Sequence, residues 1–192
     1  MTDTAYLRSA RHLAARVFLD RVRPGDLIVD ATLGTGQDCE QLCRLVGDEG
    51  RVYGFDVQID ALNRTRERLK TAGLLNRAEL ILSGHENMKD FVPQGIRLVA
   101  FNLGWLPGSD KTVTTQVETT LKAVQSALDL LAPGGLLVIC IYPGHEEGKR
   151  EADALLRFSS ALSPKICTVL YQRFINGGPG APSCLLVEKI TS

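Results

Sequence analysis

The stretch LIVDATLGTGQD, residues 27–38, decides the fold. Its apolar first half, bounded by turn residues, is typical of a strand that is buried on both faces. Gly34 and Gly36 follow, and they allow loop N–H groups to approach a ligand closely. A helix is predicted to begin near Gln37. The stretch therefore predicts a strand, loop and helix unit of a parallel α/β sheet, with a ligand at the loop.

One helix is predicted before this unit, and the same order of strand and helix repeats after it. Apolar residues at steps of three and four from Leu7 to Phe18 predict an opening amphipathic helix that ends at Pro24. In the helix after the second strand, Ile59 and Leu62 are predicted to face inward. Strands are predicted over residues 27–32, 51–56, 78–82, 97–103, 136–142, 166–174 and 184–190, and further helices over 37–46, 58–72, 85–91, 113–131 and 146–162.

The last two strands differ from the others, because only the Gly- and Pro-rich segment 177–182 separates them. No helix fits in that gap, and a parallel return needs a crossover of about a dozen residues or more. The final pair is therefore predicted to be antiparallel. We expect one α/β domain over residues 1–192, a doubly wound, mostly parallel seven-stranded sheet ending in an antiparallel hairpin. Its ligand crevice should lie at the carboxyl ends of the parallel strands.

Composition excludes several classes of protein. The chain has 192 residues, 44% hydrophobic and 23% charged, which is a globular balance rather than that of a disordered chain. Lys plus Arg and Asp plus Glu are both 22, so only a local basic surface could attract a polyanion. The longest apolar run, residues 136–142, is far shorter than the roughly 20 residues of a membrane span. Five cysteines without a dense framework, and no cationic leader, predict an intracellular, cytoplasmic protein with reduced thiols.

A cofactor site is predicted at the first loop. A dinucleotide fingerprint would place a third glycine at position 39, where this chain has Cys39. An acid before the loop, Asp30, and another at the end of the second strand, Asp56, instead suit S-adenosylmethionine (SAM), with Asp56 accepting both ribose hydroxyls. The alternative is that the two glycines only make a tight turn. The predicted cofactor contacts are Asp30, Thr32, Gly34, Gly36, Gln37, Asp38, Asp56, Val57, His85, Glu86 and Asn102.

Two of these contacts have competing interpretations. His85 follows the third strand, where this kind of sheet holds an adenine base, and Asn87 is a weaker candidate for the same role. His85 could instead be a solvated residue at a helix start. Cys39 and Cys43 lie four residues apart on one helix and could pair on a metal, but no second Cys or His pair stands nearby, so packing is predicted and no metal is expected.

An acceptor site is predicted at the end of the fourth strand, in the segment NLGWLPG, residues 102–108. Asn102 can hold an amine with its side-chain carbonyl, and Trp105 can supply a flat wall for a base or a sulfonium. Asp110 and His145 are candidate proton acceptors. The competing interpretations are a core Trp105, an exposed turn at Asp110 and a loop histidine at 145.

With these residues in place, the chain resembles a family of small class I SAM methyltransferases labelled rRNA methylases. The resemblance runs from about His12 to Ile190. The motifs that carry it are residues 30–38, 83–86, 102–108, 114–115 and 141–145, and the segment 102–108 followed by Asp110 is the most specific. Three positions depart from the family: the loop reads LGTGQDC where CGNGHDT is usual, Trp105 replaces a usual Tyr, and 176–182 keeps only Asn176 and one proline of a longer Asn- and Pro-rich motif.

The resemblance implies a function, since studied members of the family methylate the 5-aminomethyl group of 2-thiouridine at the wobble position of tRNA. An N-methyltransferase of tRNA is therefore expected, with an rRNA or small-amine methyltransferase, or a non-catalytic cofactor- or RNA-binding module, as alternatives. The opening segment carries five arginines against two aspartates, and Arg8, Arg11 and Arg16 are predicted to contact RNA phosphates. The sequence leaves a homodimer open and predicts no membrane contact.

Overall fold

The computed structural model describes residues 9–104 and 115–191. The strands are β1 Leu27–Asp30, β2 Arg51–Asp56, β3 Ala78–Leu82, β4 Ile96–Asn102, β5 Leu131–Ile141, β6 Cys167–Arg173 and β7 Ser183–Lys189. The helices are α1 Ala10–Arg21, α2 Gln37–Val46, α3 Ile59–Thr71, α4 Val117–Leu130 and α5 Glu146–Ser160, with 3-10 turns at Leu75–Arg77 and His85–Asp90.

The seven strands form one sheet in the order β3-β2-β1-β4-β5-β7-β6. Strands β1 to β5 pair in parallel, while β7 pairs antiparallel with both β5 and β6. The strand order reverses direction between β1 and β4, the position at which doubly wound sheets bind ligands. The predicted fold class and the antiparallel hairpin are confirmed. The extent of the single domain over 1–192 stays a prediction.

A hydrophobic core lies on each face of the sheet, because successive side chains of a buried strand point to opposite sides. In β1, Ile28 packs into the cluster that contains α1 and α2, and Val29 packs into the cluster that contains α4 and α5. Helix α1 contributes Ala10, Ala14 and Phe18, spaced one turn apart, and buries them. Both faces are therefore covered, as the apolar strand runs predicted.

Two local expectations are wrong. Ile59 was expected to face inward, but it is the first residue of α3 and is 53% exposed, so it begins the helix at the surface. Residues 133–135, which the predicted helix 113–131 and strand 136–142 leave as a connection, lie within β5, where the register with β4 shifts between the pairs Ile96–Leu131 and Leu98–Leu136. Pro133, Gly134 and Gly135 thus form an irregularity in a strand that starts five residues earlier than expected. Val113, the expected start of α4, lies outside the described residues.

Within residues 9–104 and 115–191, no helix is both long and apolar enough to cross a membrane.

Candidate active site

A cavity of about 660 Å³ opens at the carboxyl ends of the five parallel strands. Each strand sends the residues that follow it into the wall, so the topology brings together side chains far apart in sequence. The hairpin between β6 and β7 adds Gly180 and Pro182. The predicted site residues that line the cavity are Thr32, Gly34, Gln37, Asp38, Asp56, Val57, His85, Glu86, Asn102 and His145.

Four predicted site residues are not among the lining residues: two lie elsewhere in the structure, and two lie outside the described residues. Asp30 and Gly36 are described but do not line the cavity. Gly36 precedes α2 with a φ of 74°, and a Cβ there would lie 2.9 Å from the Cα of Thr65. Its glycine is therefore required by the close approach of α3. Trp105 and Asp110 lie outside the described residues, and their roles stay predictions.

Asp56 joins the two loops at the adjacent ends of β1 and β2. Its Oδ2 accepts a hydrogen bond of 3.0 Å from the N–H of Gly34, and its Oδ1 accepts one of 3.0 Å from the N–H of Gln58. A carboxylate has about four acceptor positions, so both oxygens can still accept from a ligand. This arrangement suits a pair of neighbouring hydroxyls.

Arg68 supports the glycine loop of the site, a role that the sequence did not reveal. It lies on α3, and its Nε donates 3.0 Å to the carbonyl of Thr35 in the glycine loop. Its Nη1 also pairs with Glu40 of α2 at 2.9 Å. An arginine in the last turn of an amphipathic helix has no sequence pattern that distinguishes this contact from a solvated side chain. Arg68 and Asp56 thus hold neighbouring residues of the loop, Thr35 and Gly34.

Asp30 lies behind the loop, fully buried. Its Oδ1 accepts 3.2 Å from the N–H of Thr32, and its Oδ2 has no hydrogen-bond partner among the described residues. Burial, followed by the charge of Asp38, raises the pKa of Asp30 to about 7. A cationic group bound in the neighbouring cavity would stabilise its ionised form.

This pKa predicts how stability depends on pH. Because folding raises the pKa of Asp30 above its ordinary value of 3.8, its contribution is greatest in acid and is lost as the pH rises to about 7. A shift of this size corresponds to about 4 kcal/mol. Asp30→Asn removes the titration, so relative to the parent its free energy of unfolding should rise by a few kcal/mol between pH 4 and 8. Urea unfolding at each pH measures the difference.

The control for that series is Asp60→Asn, which changes an exposed carboxylate on the first turn of α3. Its stability curve should run parallel to that of the parent. A parallel curve for Asp30→Asn as well would contradict the assignment.

His85 is buried and lines the cavity wall. Its Nδ1 lies 3.2 Å from the carbonyl of Ala31, and its ring packs edge-on against Phe101 at 5.4 Å. A carbonyl can only accept, so Nδ1 carries the hydrogen and donates it. Burial lowers the pKa of His85, which keeps the ring neutral. The interpretation of a solvated histidine does not fit, and adenine binding here stays a prediction.

Asn102, at the end of β4, is the centre of a polar network. Its backbone N–H donates 2.7 Å to Thr32 Oγ1, and its Nδ2 donates to Asp38 Oδ2. Its Oδ1 accepts from the hydroxyl of Tyr142 at 3.4 Å. Burial raises the pKa of Tyr142 to about 12, so the phenol keeps its proton and can donate it to Oδ1. The carboxylate of Asp38 accepts from Nδ2, which orients the Asn102 amide with Oδ1 toward Tyr142.

Arg11 has an ion-pair partner that the sequence did not reveal. It was predicted to contact RNA phosphates, and that role stays a prediction; its Nε and Nη2 bind Asp38 Oδ1 at 3.1 and 2.8 Å, and it lines the cavity. The periodicity of α1 placed it correctly off the apolar face, yet periodicity does not show that an acid on α2 lies within reach. Arg8 lies outside the described residues, and Arg16 is exposed on α1.

A second buried carboxylate, also missed from the sequence, supports the chain after β4. Glu151 of α5 is 2% exposed, and it accepts hydrogen bonds from the hydroxyls of Thr115, at 2.9 Å, and Thr120. Thr115 Oγ1 in turn accepts 2.9 Å from the N–H of Gly104. Burial raises the pKa of Glu151. The network holds Gly104, two residues beyond Asn102, against α5.

His145 caps α5 at the edge of the cavity. Its Nδ1 accepts 3.2 Å from the N–H of Gly148. In a neutral ring that accepts at Nδ1, the hydrogen is on Nε2. Uptake of a proton at Nδ1 would therefore break the cap, so His145 is poorly arranged as the proton acceptor that the sequence suggested.

Cys39 and Cys43 are buried in the face of α2 that packs on the sheet, as predicted. Within the part of the chain that the structure describes, no group of three His, Cys, Asp or Glu side chains is arranged to hold a metal ion.

Residues 52–188 match a family model described as "Putative rRNA methylase". The chain belongs to this family. The family resemblance seen in the sequence is thereby confirmed for this methylase.

Relatives and solved structures agree with that assignment. The "tRNA (mnm(5)s(2)U34)-methyltransferase, chloroplastic" of Arabidopsis thaliana is 36% identical over 165 residues, which cover 81% of this methylase and 60% of that relative. A crystal structure described as a putative rRNA methylase from Clostridium thermocellum superimposes with a TM-score of 0.94 at 35% identity, covering 97% of this chain and 100% of that one. A putative methyltransferase from Streptococcus mutans, in complex with SAH, gives a TM-score of 0.87 at 33% identity, covering 96% and 99%.

SAM is the cofactor of this methylase, and the charges of the site fit it. Among the described residues that line the cavity, Asp38, Asp56 and Glu86 carry negative charge and Arg11 carries positive charge. The excess of carboxylates suits a ligand that carries a sulfonium and an ammonium group. Val57, 62% exposed beside Asp56, offers an apolar surface that a flat base would cover.

Proposed function

We propose that this methylase transfers the methyl group of SAM to an amine nitrogen of RNA. The most specific candidate is the 5-aminomethyl group of (2-thio)uridine at the tRNA wobble position. The observation that carries the proposal is the position of Asn102 in the cavity wall, with its amide nitrogen engaged by Asp38 and its Oδ1 left as a hydrogen-bond acceptor. The likeness to the Arabidopsis tRNA methyltransferase supports the choice of acceptor.

Asn102 would act by binding and orientation. Bound SAM supplies an electrophilic methyl group. The amine must present a free lone pair to it, and an alkylammonium with a pKa of about 10 is mostly protonated at pH 7. A carbonyl oxygen that accepts an amine N–H leaves the nitrogen lone pair free to point elsewhere. Placement and exclusion of water would supply most of the rate, because charge moves from sulfur to nitrogen with little net creation.

Two further roles belong to the proposal. The proton that the amine loses passes to Asp110, to His145 or to water. Because the Nδ1 of His145 is occupied by the N–H of Gly148, His145 is a weaker candidate for this proton than Asp110. RNA phosphates are expected to contact Arg8 and Arg16, of which Arg16 is exposed on α1, rather than Arg11, whose guanidinium is paired with Asp38.

The test is mass spectrometry of nucleosides after incubation with deuteriomethyl SAM. Pools of unmethylated tRNA, rRNA and small amines are offered in parallel, with a reaction lacking protein as the control. Label in 5-aminomethyl-2-thiouridine from tRNA is the expected result. Label confined to rRNA or to small amines would instead favour the alternative enzymes, and SAM binding without transfer to any pool would favour a non-catalytic module.

A further inference from the structure

We propose that Arg11 is a positioning residue: through Asp38 it holds the side-chain amide of Asn102 with its oxygen turned to the acceptor amine. The inference rests on the proposed function of Asn102 as the group that binds the amine. The sequence signals of α1 and of the glycine loop do not predict a role for Arg11 in the reaction.

The two oxygens of Asp38 serve different partners. Oδ1 takes both contacts from Arg11, at 3.1 Å to Nε and 2.8 Å to Nη2. Oδ2 takes the Nδ2–H of Asn102. Arg11 therefore satisfies one oxygen without competing with Asn102 for the other. The contacts therefore join α1, α2 and the end of β4 at the edge of the cavity.

Asp38 is held in place by Arg11. The residue is only 7% exposed, and it lies near the buried carboxylate of Asp30. A buried charge is costly unless it is paired and hydrogen-bonded, and Arg11 supplies the cationic partner with two hydrogen bonds to Oδ1. Without Arg11, Oδ1 would lose both donors, and the carboxylate would be free to rotate away from Nδ2 of Asn102. The amide of Asn102 would then no longer be fixed by Asp38.

The orientation of the amide matters for the chemistry. With Nδ2 on Asp38, Oδ1 accepts from Tyr142 and from an incoming amine N–H. With the amide reversed, Nδ2–H would face the amine and bind its lone pair, the electron pair that must attack the methyl group. The Arg11 side chain is 39% exposed at the edge of the cavity, where it pairs with Asp38. Through Asp38 it selects the reactive orientation of the amide.

The experiment compares Arg11→Met, Arg11→Lys and Asn102→Ala with the parent, and adds the double variant Arg11→Met/Asn102→Ala. Arg157→Met is the charge-matched control, since Arg157 is exposed near the carboxyl end of α5, at the opposite end of that helix from the cavity. Turnover number and KM for tRNA are measured with labelled SAM, and SAH affinity by calorimetry. Folding is checked by circular dichroism.

Arg11→Met is expected to lower the turnover number about 10- to 100-fold, the size of effect that follows a small misplacement in an active site. SAH affinity should stay within about threefold of the parent, because a tenfold change would require about 1.4 kcal/mol of lost binding. Lys keeps the charge but cannot make both contacts with Asp38, so the turnover number of Arg11→Lys should lie between those of the parent and Arg11→Met. In the Asn102→Ala background, Arg11→Met should have little further effect.

A readout without substrate separates the two proposals. The NMR signals of the Asn102 side-chain amide are identified in a ¹H–¹⁵N spectrum by their loss in Asn102→Ala. Their chemical shifts should change in Arg11→Met and stay unchanged in Arg157→Met. Full turnover by Asn102→Ala would overturn the proposed role of Asn102 itself. Three results would overturn only the positioning role of Arg11. The first is reduced turnover in Asn102→Ala with unchanged turnover in Arg11→Met, and the second is additive losses of turnover in the double variant. The third is an equal loss of SAH affinity and turnover in Arg11→Met.

Discussion

Asn102→Ala is expected to lower the turnover number for methyl transfer about 100- to 1,000-fold, the range seen when one preorganised polar group is removed from an active site. The amine then loses the carbonyl oxygen that holds it, while the cofactor loops keep their contacts with Asp56 and Arg68. SAH affinity should stay close to that of the parent. Turnover from labelled SAM and calorimetry with SAH measure the two quantities.

A matched control for this prediction is Asn63→Ala, which removes an exposed carboxamide from α3. It should leave turnover unchanged. Asn102→Ala also leaves Asp38 Oδ2 without its donor, so a loss of about 1–3 kcal/mol in the free energy of unfolding is expected. Undiminished turnover in the variant would contradict the acceptor role.

Asp56→Ala is expected to weaken SAH binding about 100-fold. Asp56 accepts from Gly34 and Gln58, so its loss releases the loops after β1 and β2 in addition to removing the oxygens for the ribose. Hydrogen bonds to a charged group contribute about 1.5–3 kcal/mol each, and every 1.4 kcal/mol is about tenfold in affinity. Calorimetric titration with SAH measures the loss.

Asp60→Ala is the control for Asp56→Ala, because it removes the same charge from an exposed position nearby. Its SAH affinity should match the parent. Equal affinities for Asp56→Ala and the parent would show that the sugar is not bound at the end of β2.

The fold could be predicted because its signals are local and repeated. Continuous apolar runs such as residues 136–141 identify buried parallel strands, and the short gap before Ser183 leaves only an antiparallel return. The exposed Ile59 was missed because periodicity does not distinguish the first turn of a helix from its buried middle.

The site could be predicted where a residue lies at or just after a strand end. Asp56 and Asn102 are the last residues of β2 and β4, His85 comes soon after β3, and the topology brings them to one cavity. Arg11, Arg68 and Glu151 could not be found in this way, since they lie on helices and contact groups far away in sequence. Their roles depend on how the helices pack, which no local pattern encodes.

SAM is expected to lie over the ends of β1 and β2 with its sulfur facing the oxygen of Asn102. A crystal structure of the SAH complex tests this arrangement through two distances, from the ribose hydroxyls to Asp56 and from the SAH sulfur to Asn102 Oδ1. Hydrogen bonds of about 2.5–3.0 Å are expected at the ribose. The sulfur is expected to face Asn102 across a gap with room for the methyl group and the amine nitrogen. A ribose away from Asp56, or a sulfur turned from Asn102, would contradict this arrangement.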